Sequence, residues 1–268
     1  MELSIIVTNY RNPSLLKICL DSVLKYANEI AYELIVVDGE TQEDTEMMMR
    51  EDYPAVKFFP FQENVGFQAL IKKGIEESMG KYLLILNGDI IVTPDSIGKM
   101  LARIKEDEKV GMLGPKLLSF DGTLQYSCFR FYHLITIIYR RTFLGRFAFA
   151  KKHLDWFLMK DYDHNTEKNV DWLMGSALIL TRQAVEKVGL MDPGYFMYME
   201  DVDWCRRFWE NGYRVVYYPL AVMHHYHGKA SAKGGVIRSL LLNKLTWVHI
   251  FSAVRYFKKY WNKPVPKY

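Results

Sequence analysis

Cysteine is scarce: Cys19, Cys128 and Cys205 are the only three among 268 residues, odd in number and far apart. That excludes a disulfide framework or a zinc knuckle and leads one to expect a reducing, cytoplasmic setting. The opening Met1-Glu-Leu-Ser lacks the basic stretch of a secretory signal, so none is expected. Long apolar runs are missing as well. Residues 236–257 are the most apolar late segment, yet Arg238, Asn243, Lys244, His249 and Arg255 interrupt them, short of the ~18 apolar residues a membrane span needs. Charge of one sign is not in large excess: the net value is +4, gathered near Arg255, Lys258, Lys259, Lys263 and Lys267. This argues against a nucleic-acid partner, which would want basic residues along the whole chain, and for one anionic surface met at one end. Repeats and low-complexity tracts are absent.

What is present is a globular composition, half hydrophobic and a quarter charged, long enough for one large domain or two small ones. Apolar strands at residues 3–8, 32–38, 56–59 and 81–86 alternate with helical patterns at 13–26 and 66–79. Such alternation implies a largely parallel sheet flanked by helices. A helix at 94–108 and a strand at 110–118 follow. Residues 121–168 turn irregular, aromatic and basic, and read as a mobile insertion or substrate loop. Strands at 170–181 and 214–218 then bracket a short helix at 183–188 and an acidic helix start.

Two acidic sites carry the chemistry. Phe196-Met-Tyr-Met-Glu-Asp-Val-Asp-Trp-Cys-Arg-Arg207 sets Glu200, Asp201 and Asp203 among apolar residues. Mutual repulsion and burial would raise at least one pKa toward that of a general base, although acids at a helix start also simply complement the macrodipole. In Tyr82-Leu-Leu-Ile-Leu-Asn-Gly-Asp89 a buried-type strand runs into Asn-Gly and delivers Asp89 at its carboxyl end. That is where open α/β sheets bind ligands, and one carboxylate with phosphate oxygens suffices for Mg2+; the plain alternative is an ordinary turn.

The ordered set Ser4-Ile-Ile-Val-Thr-Asn-Tyr10, Val36-Val-Asp38, Asn64-Val-Gly-Phe67, Leu86-Asn-Gly-Asp89, Gly114-Pro-Lys-Leu-Leu118 with Asp121-Gly-Thr-Leu-Gln125, Asp171-Trp172 with Gly175-Ser-Ala177, and Phe196 to Cys205 resembles the family 2 glycosyltransferases of GT-A fold. The likeness is to their rhamnosyltransferase-like branch and spans roughly residues 3 to 231. It implies a catalytic domain over 1–235, with a nucleotide-binding half at about 1–120 and an acceptor-binding half at about 121–235, and a basic amphipathic helix or tail over 236–268. It also implies roles. Thr8, Tyr10, Asp38 and Asn64 line the nucleotide pocket; Asn87 and Asp89 occupy the Asp-X-Asp position that holds Mg2+ or Mn2+ against the diphosphate. Asp201 is the base with Glu200 shaping its field, Asp171, Trp172 and Gly175 meet the sugars, and a histidine, His225 in preference to His224, completes the metal site.

The resemblance thus implies an inverting transferase moving a sugar, with rhamnose favoured, from a dTDP- or UDP-linked donor to a saccharide or polyprenyl-linked saccharide. Asp38-Gly-Glu-Thr41 and Leu70-Ile-Lys72 depart from the family's usual runs, which touches donor recognition most. The tail could meet the cytoplasmic face of a membrane, pack on the domain or join a homo-oligomer. Two rivals remain. A sugar-1-phosphate nucleotidyltransferase would want a glycine-rich loop where Asn9-Tyr-Arg-Asn-Pro-Ser14 has none. A non-catalytic saccharide-binding protein could share the fold.

Overall fold

The computed structural model describes residues 1–226 and 244–266, side chains excepted at 141 and 244–246. His227, Gly228, Lys267, the boundary placed at residue 235 and the tail's first residues lie outside them.

The chain opens as β1 (Leu3–Tyr10), α1 (Pro13–Tyr26) and β2 (Tyr32–Gly39). Pro13 starts α1 after Asn12, whose Oδ1 accepts from the Leu15 amide at 3.2 Å, and Leu16, Cys19, Leu20 and Val23 recur at helical spacing on its buried face. Then come α2 (Glu43–Asp52), β3 (Lys57–Pro60), α3 (Phe67–Glu76), β4 (Tyr82–Asn87), β5 (Ile90–Val92) and α4 (Ser96–Lys105). The sequence did not announce α2, since only Thr45 and Met49 of it are buried. The run continues with β6 (Val110–Leu118), the two-residue strands β7 (Leu124–Gln125) and β8 (Cys128–Phe129), α5 (Leu134–Arg141), a 3-10 turn (Phe143–Arg146) and α6 (Ala148–Phe157). Residues 121–168 therefore hold two helices where an irregular segment was expected. Last are β9 (Lys168–Asn169), β10 (Trp172–Leu173), β11 (Ala177–Thr181), α7 (Arg182–Val188), α8 (Glu200–Glu210), β12 (Arg214–His225) and α9 (Lys244–Lys259).

The central sheet runs β3-β2-β1-β4-β11-β6-β12-β5. Its first four strands are parallel, β11 turns antiparallel between β4 and β6, and β12 returns parallel to β6. Alternate side chains of β1 enter opposite cores: Ile6 packs with Ile35 and Ile85 on one face, Ile5 and Val7 with Val36 and Leu84 on the other. This period of two explains why both faces of the strands read as apolar. The parallel strands end together, placing Thr8 opposite Asn87 and Asn9 opposite Asp38. Loops at these carboxyl ends form the site.

Candidate active site

Two adjoining cavities share Phe67, Asn87, Asp89 and Met197 as a common wall. The smaller, about 210 Å3, is lined by Thr8, Asn9, Tyr10, Asn64 and Gly66 among others. The larger, about 480 Å3, also takes in Trp172, Gly175, Ser176, Glu200, Asp201 and His225. Asp89 and Asp201, far apart in sequence, thus face one space.

The Asn-Gly turn that ends β4 is built by backbone pairing. The Gly88 amide donates to the Thr8 carbonyl at 2.7 Å, and a Cβ on Gly88 would meet Asn9 Oδ1 at 2.9 Å. Asn87 Oδ1 accepts from Thr8 Oγ1 at 3.2 Å. Beyond the turn β5 pairs antiparallel with β12, setting His225 opposite Ile90 and hence beside Asp89. His225 Nε2 lies 3.4 Å from Asp89 Oδ1, a buried oxygen that accepts no hydrogen bond among the described residues.

Gln125 fixes the ring. Its Nε2 donates to the His225 carbonyl at 2.8 Å, leaving its Oε1 to accept from His225 Nδ1 at 2.9 Å. In the neutral ring the proton then sits on Nδ1 and the Nε2 lone pair faces Asp89. Two acceptors turned toward each other are joined by a proton or by a cation, and 3.4 Å is near the spacing of adjacent ligands on a small divalent ion. A histidine held through its other nitrogen is the usual arrangement of a metal ligand. Asp89 and His225 fit such an ion. No group of three His, Cys, Asp or Glu side chains gathers among the described residues, so other ligands would come from phosphate and water. His224 points elsewhere: its Nδ1 lies 3.3 Å from the Ser119 carbonyl and its ring stacks on Phe120.

The acid pair sits where α8 begins. Tyr198 and Met199 precede it with φ of +68° and +67°, a left-handed backbone that stores roughly 1–3 kcal/mol per non-glycine residue. This twist presents Glu200 and Asp201 to the cavity. Asp201 Oδ2 accepts from the Gly175 amide at 3.2 Å and Oδ1 from the Val202 amide at 2.9 Å. Gly175 falls in the break between β10 and β11, where the sequence suggested one unbroken strand. Burial pushes Asp201 up to about 6. Glu200, with Oε2 buried and unpartnered among the described residues, rises further, to about 8, through burial and then the Asp201 charge. The two carboxyls titrate as one coupled pair, in which a charge on Asp201 opposes ionisation of Glu200. Ser176 Oγ is likewise buried on this wall with no partner among the described residues, leaving polar capacity for a ligand.

Other residues singled out in the sequence stand differently. Asp203, the third acid, is fully buried away from the cavity, held by Lys259 Nζ at 2.7 Å, Arg207 Nε at 2.9 Å and the Tyr260 hydroxyl at 3.0 Å. Asp38 lies behind the cavity wall: its Oδ1 accepts from Asn9 Nδ2 at 2.8 Å, its Oδ2 is buried without a partner among the described residues, and burial raises its pKa. Tyr10 is exposed and donates to Glu40. Asn64 Oδ1 caps the Gly66 amide at 3.1 Å, just before α3. Asp171 accepts the Phe131 amide and is not among the residues lining the cavity. Trp172 lines it, but its ring is stacked on Phe129 at 4.3 Å and only 6% exposed, so it offers little open plane to a sugar.

Several site residues escaped the sequence. Gln125, Asn9, Phe67 and Met197 lay inside quoted motifs without a role, and Tyr132 and Arg140 had no motif to mark them. His249 comes from α9, which packs on the rest of the fold through Ser252 Oγ to the Met197 carbonyl at 2.8 Å and through Lys259 and Arg255 on Asp192. Against the opposing effect of burial, Lys259, the Gly194 amide and Arg255 hold Asp192 down at about 2.

With this geometry in hand, comparison with known proteins is decisive. The model of "Glycosyltransferase like family 2" matches residues 2–240. The chain belongs to glycosyltransferase family 2. It is 28% identical over 262 residues to the N-acetylglucosaminyl-diphospho-decaprenol L-rhamnosyltransferase of Mycobacterium tuberculosis, covering 90% of this chain and 81% of that protein. Over 90 residues it is 33% identical to the rhamnosyltransferase WbbL of Escherichia coli K12, covering 34% and 31% respectively. Among solved structures it resembles GalNAc-T7 with UDP, GalNAc and Mn2+, with TM-score 0.62, 15% identity and 84% of this chain covered but only 44% of that one. The mannosyltransferase PcManGT of Pyrobaculum calidifontis, in complex with GDP-Man and Mn2+, gives TM-score 0.55 and 15% identity over 99% and 76% of the two chains. The fold is GT-A, and α9 lies beyond the matched family region. Among the described residues no helix is long and apolar enough to cross a membrane.

Proposed function

We propose that this family 2 glycosyltransferase is an inverting, metal-dependent enzyme that moves a sugar, rhamnose in the favoured case, from a dTDP- or UDP-linked donor to a polyprenyl-diphosphate-linked saccharide. The observation that carries the reading is the single cavity walled by both the Asp89–His225 pair and the Asp201–Glu200 pair. Thr8, Tyr10, Asn64 and, behind Asn9, Asp38 form the donor side; Gly175, Trp172 and Ser176 form the acceptor side. Asp89 and His225 hold Mg2+ or Mn2+, which when bound neutralises the charge of the departing nucleoside diphosphate.

Asp201, ionised near pH 7, takes the proton of the acceptor hydroxyl as that oxygen attacks the anomeric carbon and the bond to the diphosphate breaks. The Gly175 and Val202 amides keep its carboxylate aimed. Protonated Glu200 leaves the pair with one negative charge and donates a hydrogen bond into the cavity. One base on the acceptor side is what inversion requires, with no covalent intermediate. The rhamnosyltransferase relatives support the choice of donor and of a lipid-linked acceptor. The tail serves in two ways: α9 closes the cavity with His249, and its exposed Trp247, Phe251 and Val254 touch the cytoplasmic face of the membrane.

A thermal-shift screen of nucleoside-diphosphate sugars with and without Mn2+ tests the reading. A Mn2+-dependent rise with dTDP- or UDP-sugars is expected, because a ligand binding only the native state raises its apparent stability. Equal response with and without the ion, or none to any donor, overturns it.

A further inference from the structure

We infer that the hairpin of α5, the 3-10 turn and α6 is a docking surface for an anionic lipid bilayer. Its inner side packs on the core through Ile137 and Phe157 and buries Ala150, yet α5 also exposes Leu134, Ile135 and Ile138 while Thr136 is buried. Phe143, Phe147 and Phe149, exposed by 65%, 48% and 59%, form one contiguous aromatic surface, with Phe147 and Phe149 stacked at 5.7 Å and Phe143 edge-on to Phe147 at 6.3 Å. Clustered exposed aromatics of this kind mark an interaction surface, whereas isolated ones are ordinary.

Charge identifies the occupant. Residues 122–154 contain no acid. Arg146, Lys151 and Lys152 are exposed, and none forms an ion pair among the described residues. Aromatic side chains beside unpaired cations are what inserts at the headgroup level of an anionic leaflet, rings into the acyl boundary and cations among phosphates. Position adds a reason. Arg140 of the same hairpin lines the cavity that holds Asp201, so a bilayer seated here lies against an element of that cavity's wall. The surface is distinct from α9, and the inference stands apart from the sugar-transfer reading, since vesicle binding needs neither donor nor acceptor.

The test is co-sedimentation of the full chain with phosphatidylglycerol–phosphatidylcholine vesicles and with phosphatidylcholine alone. Wild type should pellet with the anionic vesicles. Phe147→Ser/Phe149→Ser and, separately, Lys151→Glu/Lys152→Glu should each bind at least ~10-fold more weakly at unchanged melting temperature. Trp247→Ser/Phe251→Ser on α9 should leave a substantial part of the binding. Should the phenylalanine pair lower the melting temperature, the charge-reversal pair decides alone. Hairpin variants that bind as tightly as wild type, or a wild type that ignores anionic vesicles, overturn the inference. So does a wild-type dimer that the same substitutions convert to monomer, which would assign the aromatic surface to a second copy of the chain.

Discussion

Replacing Glu200 with glutamine removes a buried acid whose pKa folding raises from 4.5 to about 8. Such a carboxyl favours the native state only while protonated. Its contribution is complete below 4.5 and is lost as pH rises toward about 8. At ~1.4 kcal/mol per pH unit between the two values the loss amounts to several kcal/mol above pH 8, part of it already present at pH 7. Glutamine keeps the shape and cannot ionise. Measured against wild type, the stability of Glu200→Gln should therefore climb from pH 4.5 upward and level off above pH 8. Urea unfolding of both proteins across that range reads the difference, in which ionisations outside the Glu200–Asp201 pair cancel. Because the wild-type residue is protonated near pH 7, turnover of the variant there should stay within about tenfold. A stability difference that stays flat with pH would refute the argument, since Glu200 would then be neither desolvated nor opposed by Asp201.

Asp201→Asn should lower kcat by roughly 10²–10⁴ while leaving donor affinity unchanged, and wild-type kcat/KM should fall as pH drops through about 6, where Asp201 takes up its proton; steady-state kinetics over pH check both. Asp89→Asn and His225→Gln should each abolish the Mn2+-dependent part of nucleoside-diphosphate binding, read by calorimetry with and without the ion. Asp203→Asn strips a buried partner from Lys259 and Arg207 and should cost about 3–5 kcal/mol in urea unfolding, with α9 becoming the first site of proteolysis.

Much of the fold was legible because periodicity was clean. The apolar strands β1, β2 and β4, and α1 with its Asn12-Pro13 start, read directly from the residues. Asp89 stood out because a buried-type strand delivers it at the carboxyl end, where open α/β sheets bind ligands, and the acid trio because three carboxylates beside Trp204 are costly without a purpose. The division of labour within that trio was not legible. Asp203 belongs to Lys259, whose approach depends on how α9 packs, and no local pattern encodes that. The choice between His225 and His224 hangs on β5, a three-residue strand too short to signal itself, pairing with β12. Trp172 promised an open aromatic plane, but Phe129 and Tyr132, brought in by the β8–β10 ribbon, cover it. The helices α5 and α6 were missed because each packs only a few of its apolar residues inward, Ile137 on α5 and Ala150, Trp156 and Phe157 on α6, while Leu134, Ile135, Ile138 and Phe149 face outward and blur the stripe that announces a helix in water.

The central claim is that one cavity joins a cation site at Asp89 and His225 to a base at Asp201 for the transfer of a sugar. The most direct test incubates the protein with dTDP-rhamnose, a polyprenyl-diphosphate-linked saccharide and Mn2+, and determines the anomeric configuration of the product by NMR. The account predicts transfer with inverted configuration that stops on chelation of the ion and in Asp201→Asn. Transfer with retained configuration, or undiminished transfer in the chelated enzyme and in that variant, would contradict it.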